Sequence, residues 1–216
     1  MSAPATRLAV AAGPEAEAFY VAALELLQHS GIPFLLGGTF AVAAYTGVCR
    51  PVKDLDVFCK AGDYPRILAY FSGLGYGTEV EDERWIAKIR KGELFIDVIF
   101  NSTVAIAPVT DEWLAEGKTT QLSGLTVPIV SPTELLWSKM FVQDRSRYDG
   151  ADIAHVILAQ SDSIDWRRLL SHMEPYWEVL LVQLLNFRFI YPAERQRVPA
   201  WLLDELLSRL REQAGL

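Results

Sequence analysis

Apolar side chains recur along this chain with two periods, and the changes between those periods mark out its elements. From Pro14 to Ser30, the residues Phe19, Ala22, Ala23, Leu26 and Leu27 fall at helical spacing, and Gly31-Ile32-Pro33 ends the run with a turn signal. The segment predicts a helix covering one face of a sheet. The apolar residues 34–37 predict a first strand, the spacing over 39–47 a helix after Gly37-Gly38, and residues 54–59 a second strand. A helix is predicted over 64–74, closed by Gly73, Gly75 and Gly77. The stretches 85–90 and 93–100 flank Lys91-Gly92, which predicts a β-hairpin, and residues 119–130 predict another that turns at Ser123-Gly124. Ser131-Pro132 then starts a helix well: serine caps it, proline takes the first position, and Glu134 suits a capping box. From there to the end the pattern is helical, with Trp166, Leu169, Leu170, Trp177, Leu180, Leu181, Leu184 and Leu185 in apolar stripes. Residues 1–12 are small and Ala-rich and are expected to be loose.

These elements predict an α/β (α+β) fold: a mixed β-sheet core flanked by helices over residues 1–130, then a C-terminal helical segment over 131–216. A chain of 216 residues buries a real core without disulfides or a structural metal. Its 51% hydrophobic and 22% charged residues exclude extensive disorder.

The net charge of -7 disfavours a broad nucleic-acid footprint. Nucleic acid stays possible through a local patch, either Arg84, Lys88, Arg90 and Lys91 or Arg188, Arg195 and Arg197, though such clusters are more often solvated faces. Cys49 and Cys59 fit neither a zinc nor a redox spacing and read as reduced thiols. No signal peptide or membrane span is evident, so the expected location is the cytoplasm.

Chemistry enters with three acids. Asp54 and Asp56 in Lys53-Asp54-Leu55-Asp56-Val57-Phe58, and Asp97 in Phe95-Ile96-Asp97-Val98-Ile99, interrupt apolar, β-branched runs where a carboxylate is expensive to hold. In a strand, residues two apart share a face, so Asp54 and Asp56 point together. A neighbouring strand would add Asp97, and three convergent carboxylates make an oxygen-only site for Mg²⁺ or Mn²⁺. Upstream, Gly37-Gly38 removes side chains where strand gives way to helix, so backbone N-H groups and the helix dipole meet an anion such as phosphate.

The pattern Gly37-Gly38, then Arg50-x-x-x-Asp54-x-Asp56, then Asp97 resembles the polymerase-beta-like nucleotidyltransferase superfamily, whose core carries a glycine-rich turn, an Asp-x-Asp and a third acid. The later run from Ser131-Pro132-Thr133-Glu134-Leu135 to Lys139, followed by Arg147-Tyr148-Asp149-Gly150-Ala151-Asp152, is similar to the second half of its stand-alone members, of toxin-like or antibiotic-modifying type. Many relatives carry serine where Gly38 stands, followed here by Thr39, and threonine where Val52 stands.

The resemblance implies roles for these residues. Asp54 and Asp56 would bind the metal that chelates a nucleoside triphosphate, and Asp97 would join them at a second metal and help deprotonate the acceptor hydroxyl. Gly37, Gly38, Thr39 and Arg50 would lie at the phosphates, Lys139 would reach the β- or γ-phosphate, and Asp152 would add an acid to the site. The expected activity is metal-dependent transfer of a nucleoside monophosphate to a hydroxyl of a small molecule, a protein or an RNA, the first two favoured by the acidic charge. A different class remains open, a non-catalytic protein that keeps the fold as a binding partner or toxin-antitoxin component. A metal-dependent phosphohydrolase is a third, although such sites usually recruit histidines. Here His29, His155 and His172 share no ligand spacing and read as structural or exposed, and Trp137, Trp166, Trp177 and Trp201 read as core. Asp149 reads equally as a helix N-cap, and the oligomeric state is not written in the chain.

Overall fold

Leu35–Leu36 (β1) is a short apolar strand inside a seven-stranded sheet, next to the central strand that follows Asp54 and carries Asp56. The computed structural model describes residues 13–143 and 147–215. They fall in two compact units, Met1–Ser131 and Pro132–Leu216. The expectation of a loose start concerns residues 1–12, outside the described residues.

In the first unit, helix α1 (Pro14–Ser30) leads to β1, followed by α2 (Gly38–Thr46), β2 (Leu55–Phe58), α3 (Tyr64–Gly73), β3 (Gly77–Asp82), β4 (Ile86–Lys91), β5 (Leu94–Ile99), α4 (Asp111–Glu116), β6 (Lys118–Leu122) and β7 (Leu125–Ile129). The strand order is β3-β4-β5-β2-β1-β7-β6. β2 runs parallel to β5 and β1 parallel to β7, while the remaining pairs are antiparallel, which is the mixed sheet the pattern predicts. Leu55, Val57, Ile96, Val98, Ala87 and Ile89 are fully buried on one face, and the intervening positions carry the acids.

Several boundaries differ from the pattern. β2 begins at Leu55, so Asp54 precedes the strand. Helix α1 has the predicted limits, but its buried stripe is Phe19, Tyr20, Ala23, Leu24 and Leu27, leaving Ala22 exposed and Leu26 half-buried. β3 was not predicted because its sequence, Gly-Thr-Glu-Val-Glu-Asp, lies on an exposed charged edge without hydrophobic alternation. The first hairpin turns at Gly92-Glu93, one residue later than Lys91-Gly92, with Gly92 at φ +62° and Lys91 paired to Leu94. That shift moves the partner of Asp97 from Ile86 to Lys88. The second hairpin turns at Ser123-Gly124 as expected.

The second unit is helical: α5 (Pro132–Met140), α6 (Gly150–Gln160), α7 (Trp166–His172), α8 (Trp177–Ile190) and α9 (Ala200–Ala214), with 3-10 turns at Glu174–Tyr176 and Pro192–Arg197. Leu135, Met140, Val156, Ile157, Leu169, Leu180, Leu184, Phe187 and Leu206 form its core. Asp165 caps α7 by accepting from the backbone N-H groups of Arg167 and Arg168. Trp137 and Trp166 are buried as expected, but Trp201 is exposed beneath the Arg167 guanidinium at 4.8 Å, and Leu185 also faces outward. No described helix is long and apolar enough to cross a membrane.

Candidate active site

Strand register gathers three of the first unit's candidate residues, Gly37, Asp56 and Asp97, into one row across the sheet. The Gly37 N-H donates to the Asp56 carbonyl at 2.9 Å, Asp56 lies opposite Asp97, Asp97 opposite Lys88, and Lys88 opposite Glu79. Opposed residues project to the same face, so the row reads Gly37, Asp56, Asp97, Lys88, Glu79. Asp54 stands two residues before Asp56 at the same end.

The two glycines make this row possible. A Cβ on Gly38 would overlap the Asp56 carboxylate, and one on Gly37 would overlap the Phe58 ring. Gly38 also sits at φ +53°, a conformation that glycine alone adopts freely. The carboxylate therefore packs against bare backbone at the start of α2, where the first-turn N-H groups face outward along the helix axis. Thr39 and Arg50 come within reach of each other, Nη2 to Oγ1, at 3.5 Å.

The three acids also share an electrostatic neighbour. Burial, and then the charges of Asp54, Asp56 and Asp97, hold the Tyr20 hydroxyl above the ordinary tyrosine range, so all three carboxylates act on one hydroxyl. Burial raises the Asp97 carboxyl above the usual aspartate range; the Lys88 ammonium opposes the rise, and Asp54 adds to it. Lys88 Nζ lies 2.8 Å from Asp97 Oδ1 and 2.8 Å from Glu81 Oε2.

Asp54 and Asp56 offer hard oxygen donors side by side, which fits Mg²⁺ or Mn²⁺. The third acid fits less well. Asp97 is engaged by Lys88, and among the described residues no three His, Cys, Asp or Glu side chains gather closely enough to hold a metal ion.

In the second unit, Lys139 Nζ lies 2.8 Å from Asp149 Oδ2 and 2.7 Å from Asp152 Oδ2, all three side chains buried, with Arg147 Nε 3.3 Å from Asp149. Asp149 occupies the N-cap position of α6, yet its side chain makes no cap hydrogen bond and turns to these cations instead. Lys139 and Asp152, both expected at the site, are thus brought to each other. Burial raises the Asp149 carboxyl, but Lys139 and Arg147 together outweigh it and hold it below the usual range.

Lys88 and Tyr20 were not among the expected site residues. The signal for Lys88 was its place across the hairpin from Asp97, hidden by the one-residue difference at the turn; Tyr20 offered only an aromatic on a helix stripe. The basic cluster around Lys88 is internally paired: Arg84 with Asp82, Lys88 with Asp97 and Glu81, Arg90 with Glu79. Among the histidines, His172 stacks on Trp137 at 3.9 Å and His155 contacts the Tyr191 hydroxyl at 2.7 Å, both structural arrangements.

A family model described as nucleotidyl transferase of unknown function (DUF2204) matches residues 17–185. No curated protein sequence matches the chain. Among solved structures, the lincomycin-bound lincosamide antibiotic adenylyltransferase LnuA is 20% identical with a TM-score of 0.46, over 66% of this chain and 95% of that one. ANT(2″)-Ia in complex with adenylyl-2″-tobramycin is 16% identical with a TM-score of 0.47, over 81% and 98%. JHP933 from Helicobacter pylori is 13% identical with a TM-score of 0.44, over 94% and 96%.

Proposed function

The chain belongs to this nucleotidyl transferase family, and from that membership we propose that it moves a nucleoside monophosphate from a nucleoside triphosphate to an acceptor hydroxyl: the acceptor oxygen bonds to the α-phosphorus as the bond to the β-phosphate oxygen breaks, and pyrophosphate leaves. The observation that carries the reading is the register that sets Gly37, Asp56 and Asp97 side by side. Phosphate oxygens need positive partners and the reacting oxygens need fixed positions; the protein does little covalent work in such a transfer.

Each residue has a part. The first-turn N-H groups after Gly37 bind triphosphate oxygens, with Thr39 and Arg50 beside them. Asp54 and Asp56 would hold a divalent ion, Mg²⁺ or Mn²⁺, which would offset phosphate charge. Asp97, whose carboxyl is raised by burial, accepts the proton of the acceptor hydroxyl. Lys139 is held by Asp149 and Asp152 within the second unit. Paired basic side chains around Lys88 favour a small molecule or a protein over RNA as acceptor.

Calorimetric titration of the four nucleoside triphosphates with Mg²⁺, on the wild type and on Asp54→Ala with Asp56→Ala, tests this. Metal-dependent binding to the wild type that vanishes in the variant is expected. Absence of binding by every triphosphate would favour a non-catalytic partner protein instead.

A further inference from the structure

Resting on the transferase reading, we propose that Lys88 is a fixed cation of the site, holding Asp97 where a second metal ion would otherwise bind. The chain then works with a single divalent ion, at Asp54 and Asp56.

Four observations converge. Lys88 lies directly opposite Asp97 in the β4–β5 pair, so its stem and the carboxylate share a face by register. Its ammonium is 2.8 Å from Asp97 Oδ1 and 2.8 Å from Glu81 Oε2, and lies over the Phe95 ring at 4.6 Å. The Lys88 and Asp97 side chains are only 11% and 10% exposed. Among the described residues no three acidic, cysteine or histidine side chains gather into a metal site, although three aspartates share this end of the sheet.

The physics of the pair explains that gap. A mostly desolvated ammonium stays where carboxylates and an aromatic face hold it, and moving it away would strand Asp97 in a buried environment. A divalent ion bridging Asp97 to Asp54 or Asp56 would meet that ammonium as a like charge at short range. Oδ1 is spent on the lysine, which leaves Oδ2 for the acceptor hydroxyl. Lys88 is thus a positioning residue: it acts on the acceptor through Asp97, and it sets the number of metal ions.

The test counts ions. Mn²⁺ bound per chain is read from loss of the free-ion paramagnetic resonance signal. The full chain is kept equimolar with the α,β-methylene analogue of whichever triphosphate binds in the calorimetric titration. The wild type is expected to hold a single ion, Lys88→Met to gain a second, and Lys88→Arg, which keeps the charge, to stay at one. A wild type holding two ions, or a Lys88→Met protein still holding one, overturns the proposal while leaving the transferase reading intact. If no triphosphate binds, that reading falls and the proposal with it. Should Lys88→Met fail to fold, Asp97→Asn decides: retention of the single ion supports the proposal, and loss of an ion overturns it.

Discussion

The Asp56 carboxylate fills the space that a side chain on Gly38 would need. Gly38→Ala therefore carries two penalties, a left-handed backbone costing about 1–2 kcal/mol and displacement of the carboxylate. Gly92→Ala is the matched control: Gly92 has φ +62° but open space around its Cβ position. Both variants should lower the melting temperature. Only Gly38→Ala should weaken metal-dependent triphosphate binding, by roughly tenfold or more, the equivalent of about 1.4 kcal/mol. Equal binding by the two variants would separate Gly38 from the site.

That relationship was half legible in the chain. Gly37-Gly38 and the Asp-x-Asp are readable because turn chemistry and strand alternation are local rules. Their contact is not local: it depends on β1 and β2 pairing antiparallel, which brings Gly37 against Asp56. Asp97 was legible as an acid in an apolar strand, but its partner was hidden, because placing the turn one residue early exchanges Lys88 for Ile86. Edge strand β3 was illegible for another reason. Its side chains face solvent, so nothing in their order records the pairing. Lys139 and Asp152 stood out through the family resemblance rather than through local pattern, and their mutual ion pair required the fold of the second unit.

The two cysteines should separate cleanly by reactivity. Cys59 is fully buried just past the end of β2, where burial above all, with the charge of Asp63 adding to it, pushes the thiol up to about 12. Cys49 is exposed in the loop before Arg50. A thiolate-directed reagent should label the native protein at Cys49 alone, and Cys59 only after unfolding. Labelling of both in the native state, followed by peptide mass analysis, would show that the β2 end opens readily.

Lys139 should matter to the stability of the second unit. Its ammonium compensates two carboxylates, Asp149 and Asp152, inside the second unit. Lys139→Met keeps the apolar stem but leaves both acids buried without that charge, at an expected cost of about 3–5 kcal/mol in denaturant unfolding. Adding Asp149→Asn and Asp152→Asn should recover much of the loss, since neutral groups of similar shape need no counter-charge. A loss that the added substitutions do not relieve would point to packing around the stem as its source.

Acid should dissolve the contribution of Asp149. Burial raises its carboxyl, but Lys139 and Arg147 outweigh that and hold the folded value below the ordinary one. As pH falls, the unfolded chain takes up its proton first, near the usual aspartate value of about 3.9. The stability from this group is therefore complete above that value and is lost as pH falls through the lower folded one. Asp97 has the opposite sign: its raised folded value gives a contribution present below the ordinary aspartate range and lost as pH rises through the raised value. The difference in melting temperature between wild type and Asp149→Asn should hold steady from about pH 7 to about pH 5 and narrow toward about pH 2. A difference unchanged across that range would mean that the Lys139 ion pair adds nothing that depends on the charge of Asp149.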